Sequence, residues 1–164
     1  MTITRICISP AHNFFEHHDL PAGEAPTVEV SEAECVADRG IRGDRFFDYK
    51  KDYKGQVTFF SEEVFEQLCA RLHVHGKNIS ATRRNIFVRG VDLNQLIGRD
   101  FEIQGVCFHG SGECKPCYWM NHAIAEGAED ALRGVGGLRA RILSDGLLIP
   151  GMAEFRYIDT VNIK

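Results

Sequence analysis

Two cysteines separated by a Lys-Pro pair, Cys114 and Cys117, form the part of this sequence best suited to chemistry. The pattern has three chemical interpretations: half of a zinc site, a dithiol redox pair, or one soft thiolate offered to a soft metal or a sulfur-bearing cofactor. Zinc would need two further ligands, and the flanking His109 and His122 do not form a strong zinc pattern. Two unreactive thiols are the simplest alternative. The glycine-rich loop and the Lys-Pro spacer favour a functional pair.

An arginine- and glycine-rich segment covers residues 39–47 and contains Asp44 and Arg45. The guanidinium groups of such a loop could donate paired hydrogen bonds to a phosphate or a carboxylate. The alternative is that Asp44 pairs with a neighbouring arginine and closes a turn. Exposed charge clusters are usually solvated, so the residue types alone favour this second interpretation.

A second arginine-rich segment, residues 83–93, brackets a short apolar run. Strand alternation would place Arg84 with Ile86 on one face and Asn85 with Phe87 on the other. Arg84 or Asn85 at the mouth of a strand could reach a ligand phosphate. Both could equally be rim residues without a ligand.

The apolar residues recur mostly with a period of two, which predicts that the elements that position these residues are mostly strands. Short runs between Gly, Asp and Asn predict strands at residues 3–8, 27–30, 56–60, 85–88, 101–103, 105–108, 139–143 and 155–161. Ser61 is a predicted N-cap for a helix that reaches Leu72. A second helix is predicted from about Tyr118 to Leu132, broken or weakened at Gly127. Strands of this length and frequency predict a mainly β fold with few helices, either a closed or nearly closed β-barrel or a sandwich.

Bulk properties narrow the class of protein. The chain has 164 residues and a formal net charge of −4, which predicts one domain over residues 1–164 and argues against a nucleic-acid binder. No apolar run approaches the length that spans a bilayer, and the first residues lack a signal-peptide pattern, so a cytoplasmic protein is expected. Six cysteines in a chain of this size do not predict a disulfide framework.

Taken in order, these segments resemble the MOSC family, which is named for the C-terminal domain of molybdenum-cofactor sulfurases. The resemblance runs from about residue 40 to 152 and rests on order and spacing rather than on any single motif. Its segments are residues 40–45, 56–58, 83–86, 89–93, 96–98, 114–117, 136–140, 145–146 and 150–151.

The resemblance implies a β-barrel-rich fold, like the β-barrel of pyruvate kinase, and binding of the molybdenum cofactor (molybdopterin). It implies that Cys117 contacts the metal or carries sulfur, while Cys114 has a less defined role. Cofactor-binding candidates are Asp44, Arg45, Arg84, Asn85 and Arg139, with the arginines directed at phosphate and Asn85 at the pterin.

Two activities are implied by the resemblance: molybdenum-dependent reduction of N-hydroxylated compounds, and sulfur transfer through a cysteine persulfide. The chain lacks the pyridoxal-phosphate and ferredoxin-like domains that are fused to some relatives. A separate electron-donor or sulfurase protein is therefore the expected partner, beside a small-molecule substrate or sulfur donor.

Overall fold

A computed structural model describes residues 1–13 and 21–158 of the chain, and strands dominate it. The strands are β1 (Thr2–Ile8), β2 (Val28–Glu29), β3 (Ala33–Val36), β4 (Gly40–Ile41), β5 (Val57–Ser61), β6 (Ile86–Arg89), β7 (Asp100–Ile103), β8 (Val106–Glu113), β9 (Leu138–Ile142), β10 (Gly146–Leu148), β11 (Gly151–Met152) and β12 (Phe155–Ile158). The helices are α1 (Glu62–Arg71), α2 (Trp119–Ala123) and α3 (Ala128–Ala131), with two 3₁₀ turns at Ile79–Thr82 and Leu93–Leu96. No helix of these residues is long and apolar enough to cross a membrane.

The large sheet has nine strands in the order β11-β1-β6-β5-β9-β8-β7-β12, with β2 added beside β1. Most pairs are antiparallel, but β5 and β6 run parallel because α1 returns the chain between them. Strands β10, β3 and β4 form a second, three-stranded sheet.

The large sheet must curl strongly, because its first and last strands are neighbours in the chain. Only residues 153–154 separate β11 from β12, which limits the distance between the strand ends to about 11 Å. Eight flat strands would separate the same two edges by roughly 34 Å. The curl is nonetheless incomplete, since no pairing joins β11 to β12 within residues 1–13 and 21–158. The mainly β prediction is confirmed, and the sheet is an open, curled one rather than a closed barrel.

The inner face of the curl holds the larger apolar core. Phe59 of β5, Phe101 of β7 and Phe108 of β8 are fully buried, with ring centroids 5.4–5.9 Å apart. Each such burial stabilises the fold by roughly 1.5–3 kcal/mol relative to an exposed ring. Strand alternation turns Phe60 and Phe87 to the opposite face.

The outer face carries the helices, which bury a second core around Phe60 and Phe87. Helix α1 begins where predicted, because the Ser61 side chain accepts a hydrogen bond from the Val64 N–H. The second predicted helix is broken into two short ones, α2 and α3, because Gly127 takes a left-handed conformation (φ +86°) at the start of α3. The last residues of the strand predicted at 155–161 lie outside the described part of the chain.

Candidate functional site

A cavity of about 340 Å³ opens where the loop after β8 meets the segments that precede β5 and β6. That volume is within the range of small-molecule sites. It is lined by His12, Asn13, Arg45, Phe46, Tyr53, Gly55, Thr58, Thr82, Arg83, Arg84, Cys114, Lys115, Pro116, Cys117, Trp119, Met120 and Arg139. Both cysteines of the pair and three of the predicted arginines therefore lie around one cavity.

The cysteine loop is fixed most firmly at Cys114. The Cys114 N–H donates to the Gly137 carbonyl oxygen at 2.7 Å, and the Cys114 carbonyl accepts from Arg84 Nη2 at 3.1 Å. A Cβ at Gly136 would lie 2.5 Å from the Cys114 carbonyl oxygen, so only glycine fits there without displacing the loop. Cys114 is 4% exposed and faces the cavity, whereas Cys117 is exposed at its mouth.

Arg84 connects the cysteine loop to the chain before β6. Its guanidinium donates to the carbonyl oxygens of Gly136 and Cys114 at 3.1–3.2 Å. Within the described residues its hydrogen-bond partners are backbone carbonyls, with no carboxylate among them. Carbonyl oxygens orient a guanidinium without neutralising its charge, so the positive charge of Arg84 remains available to the cavity.

Arg139 of β9 lines the cavity together with both thiols. It stands opposite Gly112 of β8, two residues before Cys114. Burial alone would lower the pKa of Arg139, but the nearby Cys114 raises it. Cys117 acts in the same direction. The predicted contact between Arg139 and a phosphate stays a prediction, and the structure adds that Arg139 lies near the cysteine pair.

Cationic groups crowd the cavity. Burial, together with the nearby charge of Arg45, lowers the pKa of Arg83 to about 10. Burial also lowers the pKa of Arg45, where Asp44 opposes the shift and Arg84 adds to it. Together with Arg139, these four guanidinium groups face a space that no carboxylate lines within the described residues. A bound anion would relieve their mutual repulsion.

Asp44 and Asn85 lie beneath the cavity rather than on its wall. The Asp44 carboxylate accepts hydrogen bonds from the N–H groups of Ser9 (3.0 Å) and Phe46 (3.1 Å) and from Asn85 Nδ2 (3.1 Å). The Asn85 side-chain oxygen accepts from the Thr58 N–H and hydroxyl. Both side chains are almost fully buried, so they hold the segments that carry Arg45 and Arg84 in place.

Sequence reasoning missed an aromatic wall on one side of the cavity. Phe46 and Tyr53 stack with ring centroids 5.1 Å apart, and His12 meets Phe46 edge-on at 4.9 Å. Lys115 and Trp119 also line the cavity. The usable signal was the repeated Asp-Tyr-Lys of residues 48–54, although nothing in it indicates a cavity without the fold.

The other thiols and histidines do not add a metal centre. Burial raises the pKa of Cys7 to about 11 and that of Cys35 to about 12, which keeps both thiols protonated. His109 is bonded to Asp100 at 2.6 Å. No three His, Cys, Asp or Glu side chains of residues 1–13 and 21–158 lie close enough together to hold a metal ion. The zinc interpretation of the cysteine pair therefore has no ligand set in the described structure.

Fold and cavity together define a curled β-sheet protein with a cationic, thiol-bearing small-molecule site. The MOSC domain family matches residues 42–153, which is more than half of the chain, and the protein belongs to that family. The family is associated with the molybdenum cofactor, so a general role connected with that cofactor follows.

Solved structures show the same fold. YuaD protein from Bacillus subtilis is similar at 17% identity with a TM-score of 0.74, over 94% of this chain and 93% of that one. YiiM from Geobacillus stearothermophilus matches at 15% identity and a TM-score of 0.68, over 96% of this chain and 75% of that one. YiiM from Escherichia coli matches at 14% identity and a TM-score of 0.60, over 98% and 71%. No curated protein matches the sequence.

The residues of the cavity fit the cofactor that the family implies. Molybdopterin is an anion with a phosphate, and the cavity offers four guanidinium groups and Lys115 without a lining carboxylate among the described residues. A thiolate is a suitable ligand for a metal already bound by sulfur, and Cys117 is exposed at the mouth of the cavity.

Proposed function

We propose that this protein binds the molybdenum cofactor in the cationic cavity, uses Cys117 as a ligand of the metal, and supports reduction of N-hydroxylated compounds. The observation that carries the proposal is an exposed thiol and five cationic side chains around one cavity. When bound, the molybdenum centre supplies two-electron redox chemistry, while the protein supplies binding, orientation and electrostatics.

The chain's own residues divide the binding between them. Arg45, Arg84 and Lys115 provide positive charge for the phosphate, and the stacked rings of Phe46 and Tyr53 provide an apolar wall. Asp44 lies beneath the cavity and accepts a hydrogen bond from Arg45 Nη1 at 3.4 Å. In this proposal it orients Arg45 and does not contact the ligand. The arginines are already held by the protein, so little side-chain entropy is lost when an anion binds.

The overall reaction requires electrons from outside the chain. Reduction of a hydroxylamine to an amine takes two electrons and two protons and releases one water molecule. A separate electron-donor protein is the natural partner, and in the test its place is taken by a chemically reduced viologen dye.

The test measures cofactor retention and activity in matched cysteine variants. Protein produced in a host that makes the cofactor is analysed for molybdenum and pterin per chain, and then for reduction of an N-hydroxylated base. Cys117→Ser should lose activity, while Cys69→Ser, which changes a thiol on α1 outside the cavity, should keep it. Activity retained in Cys117→Ser would exclude the ligand role. Pterin binding should also weaken as ionic strength rises, since charge attraction is screened.

A second candidate is sulfur transfer, in which Cys117 carries a persulfide for a metal–sulfur centre. It is supported by the second thiol, Cys114, beside the same guanidinium of Arg139. Incubation with a cysteine desulfurase and cysteine, followed by mass spectrometry, should then show one added sulfur on Cys117. An unmodified Cys117 under those conditions removes this candidate.

A further inference from the structure

The Cys114–Cys117 pair combines one thiol that solvent reaches and one that it does not. Cys117 is exposed, whereas Cys114 is 4% exposed and reaches solvent only through the cavity that both line. A bulky disulfide can therefore react with Cys117 first. Only a sulfur already attached to the chain can readily reach Cys114. This is the arrangement of an attacking thiol and a resolving thiol.

Arg139 lies near both sulfurs. Cys114 and Cys117 both act to raise the pKa of its guanidinium, and all three side chains line the same cavity. The two thiols therefore lie close to one side chain and to each other in the loop.

The backbone allows one of the two cysteines to move. Cys114 is held by hydrogen bonds at its N–H and its carbonyl, to Gly137 and from Arg84. Residues 114–117 belong to no helix or strand, and the α2 helix begins only at Trp119. The Cys117 carbonyl accepts one hydrogen bond, from the Met120 N–H at 2.9 Å. Cys117 can therefore approach Cys114 without unfolding a helix or strand, with the loss of at most that hydrogen bond. A disulfide between them requires Cα atoms about 4.4–6.8 Å apart.

We infer that Cys114 and Cys117 form a reversible disulfide, and that this disulfide switches the cavity off as a metal site. None of the other four cysteines lines this cavity. Cys7 and Cys35 are fully buried in the cores, and the half-buried Cys69 and Cys107 lie on α1 and β8. The regulatory half of the inference rests on the proposed function, since it requires Cys117 to be the metal ligand. The formation of the disulfide does not depend on that function.

The exchange balances with glutathione disulfide as the oxidant. The Cys117 thiolate attacks one sulfur of glutathione disulfide, which forms a Cys117–glutathione bond and releases one glutathione thiolate. The Cys114 thiolate then attacks the Cys117 sulfur and releases the second glutathione thiolate. The two cysteines together lose two electrons and two protons, and glutathione disulfide is reduced to two molecules of glutathione.

A sulfur bound in this disulfide has no thiolate to offer a metal. Oxidation therefore removes the proposed ligand, and reduction by a thiol restores it. The cavity is then competent only in a reducing environment.

The first arm of the test follows the thiols of the reduced, purified full chain in glutathione redox buffers. Thiol counting and peptide mass spectrometry should show the loss of two thiols and a Cys114–Cys117 cross-link. Cys114→Ser lacks the resolving thiol, so it should stop at one glutathione bound to Cys117. Cys69→Ser should behave like the native chain. A stable glutathione adduct on Cys117 of the native chain, or no loss of thiols, would overturn the disulfide.

The second arm measures molybdenum retained per chain after cofactor loading of the reduced and the oxidised protein. Retention should be several-fold higher in the reduced form, and dithiothreitol should restore it in the oxidised form. Equal retention by both forms would overturn the switch. Formation of the disulfide with no retention in either form supports the disulfide and instead refutes the proposed cofactor function.

Discussion

Replacement of Asp44 by asparagine tests whether this residue binds a ligand or builds the floor of the site. The Asp44 side chain is 1% exposed, and its neighbours Ser9, Arg45, Phe46 and Asn85 all donate hydrogen bonds to it. An asparagine keeps one acceptor oxygen, but its NH₂ group would face N–H groups, which cannot accept a hydrogen bond. One buried donor is left unsatisfied, at about 1–3 kcal/mol, and the charge of Arg45 loses its carboxylate.

We therefore expect Asp44→Asn to lower the free energy of unfolding by roughly 2–4 kcal/mol, and Asp44→Ala by about 3–5 kcal/mol, since it leaves a buried charge unpaired. Urea unfolding followed by circular dichroism and by the fluorescence of Trp119, the one tryptophan, gives both values. Asp48→Asn is the control, because it changes an exposed ion pair with Arg39 that is worth at most about 1 kcal/mol. If Asp44→Asn lowers the free energy of unfolding no more than Asp48→Asn does, the structural role is refuted and Asp44 is again a candidate ligand contact.

Three further changes probe other parts of the structure. Gly136→Ala places a Cβ 2.5 Å from the Cys114 carbonyl oxygen, so the loop must shift and iodoacetamide should label Cys114 faster; an unchanged rate would contradict the packing. Burial raises the pKa of Cys35 to about 12, so the unfolded chain ionises this thiol first, above about pH 8.5. The free energy of unfolding should then fall between pH 9 and 12 by up to about 1.4 kcal/mol per pH unit, and less steeply in Cys35→Val. An equal pH dependence in the two proteins would contradict the contribution of Cys35. Ser61→Ala removes the acceptor for the Val64 N–H and should lower the stability by about 1 kcal/mol in urea unfolding, where an equal midpoint would show that the cap contributes nothing.

Local patterns predicted the strands that carry a full alternation of side chains. Ile86 and Val88 face one core and Phe87 the other, as a period of two requires. Strands β4 and β10, of two and three residues, contain too few residues for a period and were not predicted. The curl of the sheet depends on which strands pair across the chain, and local sequence does not contain that information.

The site could be predicted as a set of residue types but not as an arrangement. The cysteines and Arg45, Arg84 and Arg139 were found from their segments, and they do surround one cavity. Asp44 and Asn85 come from the same segments, yet they point beneath the cavity. Whether a polar side chain faces a ligand or a buried N–H group is decided by the tertiary contacts of its neighbours.

The hydrogen bonds that build the cavity also explain why it stays cationic. Arg83 donates to the carbonyl oxygens of Ala11 and Ala25, and Arg84 to those of Gly136 and Cys114. These partners fix the guanidinium groups in place, but they carry no formal charge. A carboxylate partner would have oriented an arginine equally well and cancelled its field. A chain of net charge −4 therefore keeps a positive cavity because Arg83 and Arg84 pair with backbone, while Arg45 pairs with the Asp44 carboxylate beneath the cavity. This arrangement favours an anionic ligand.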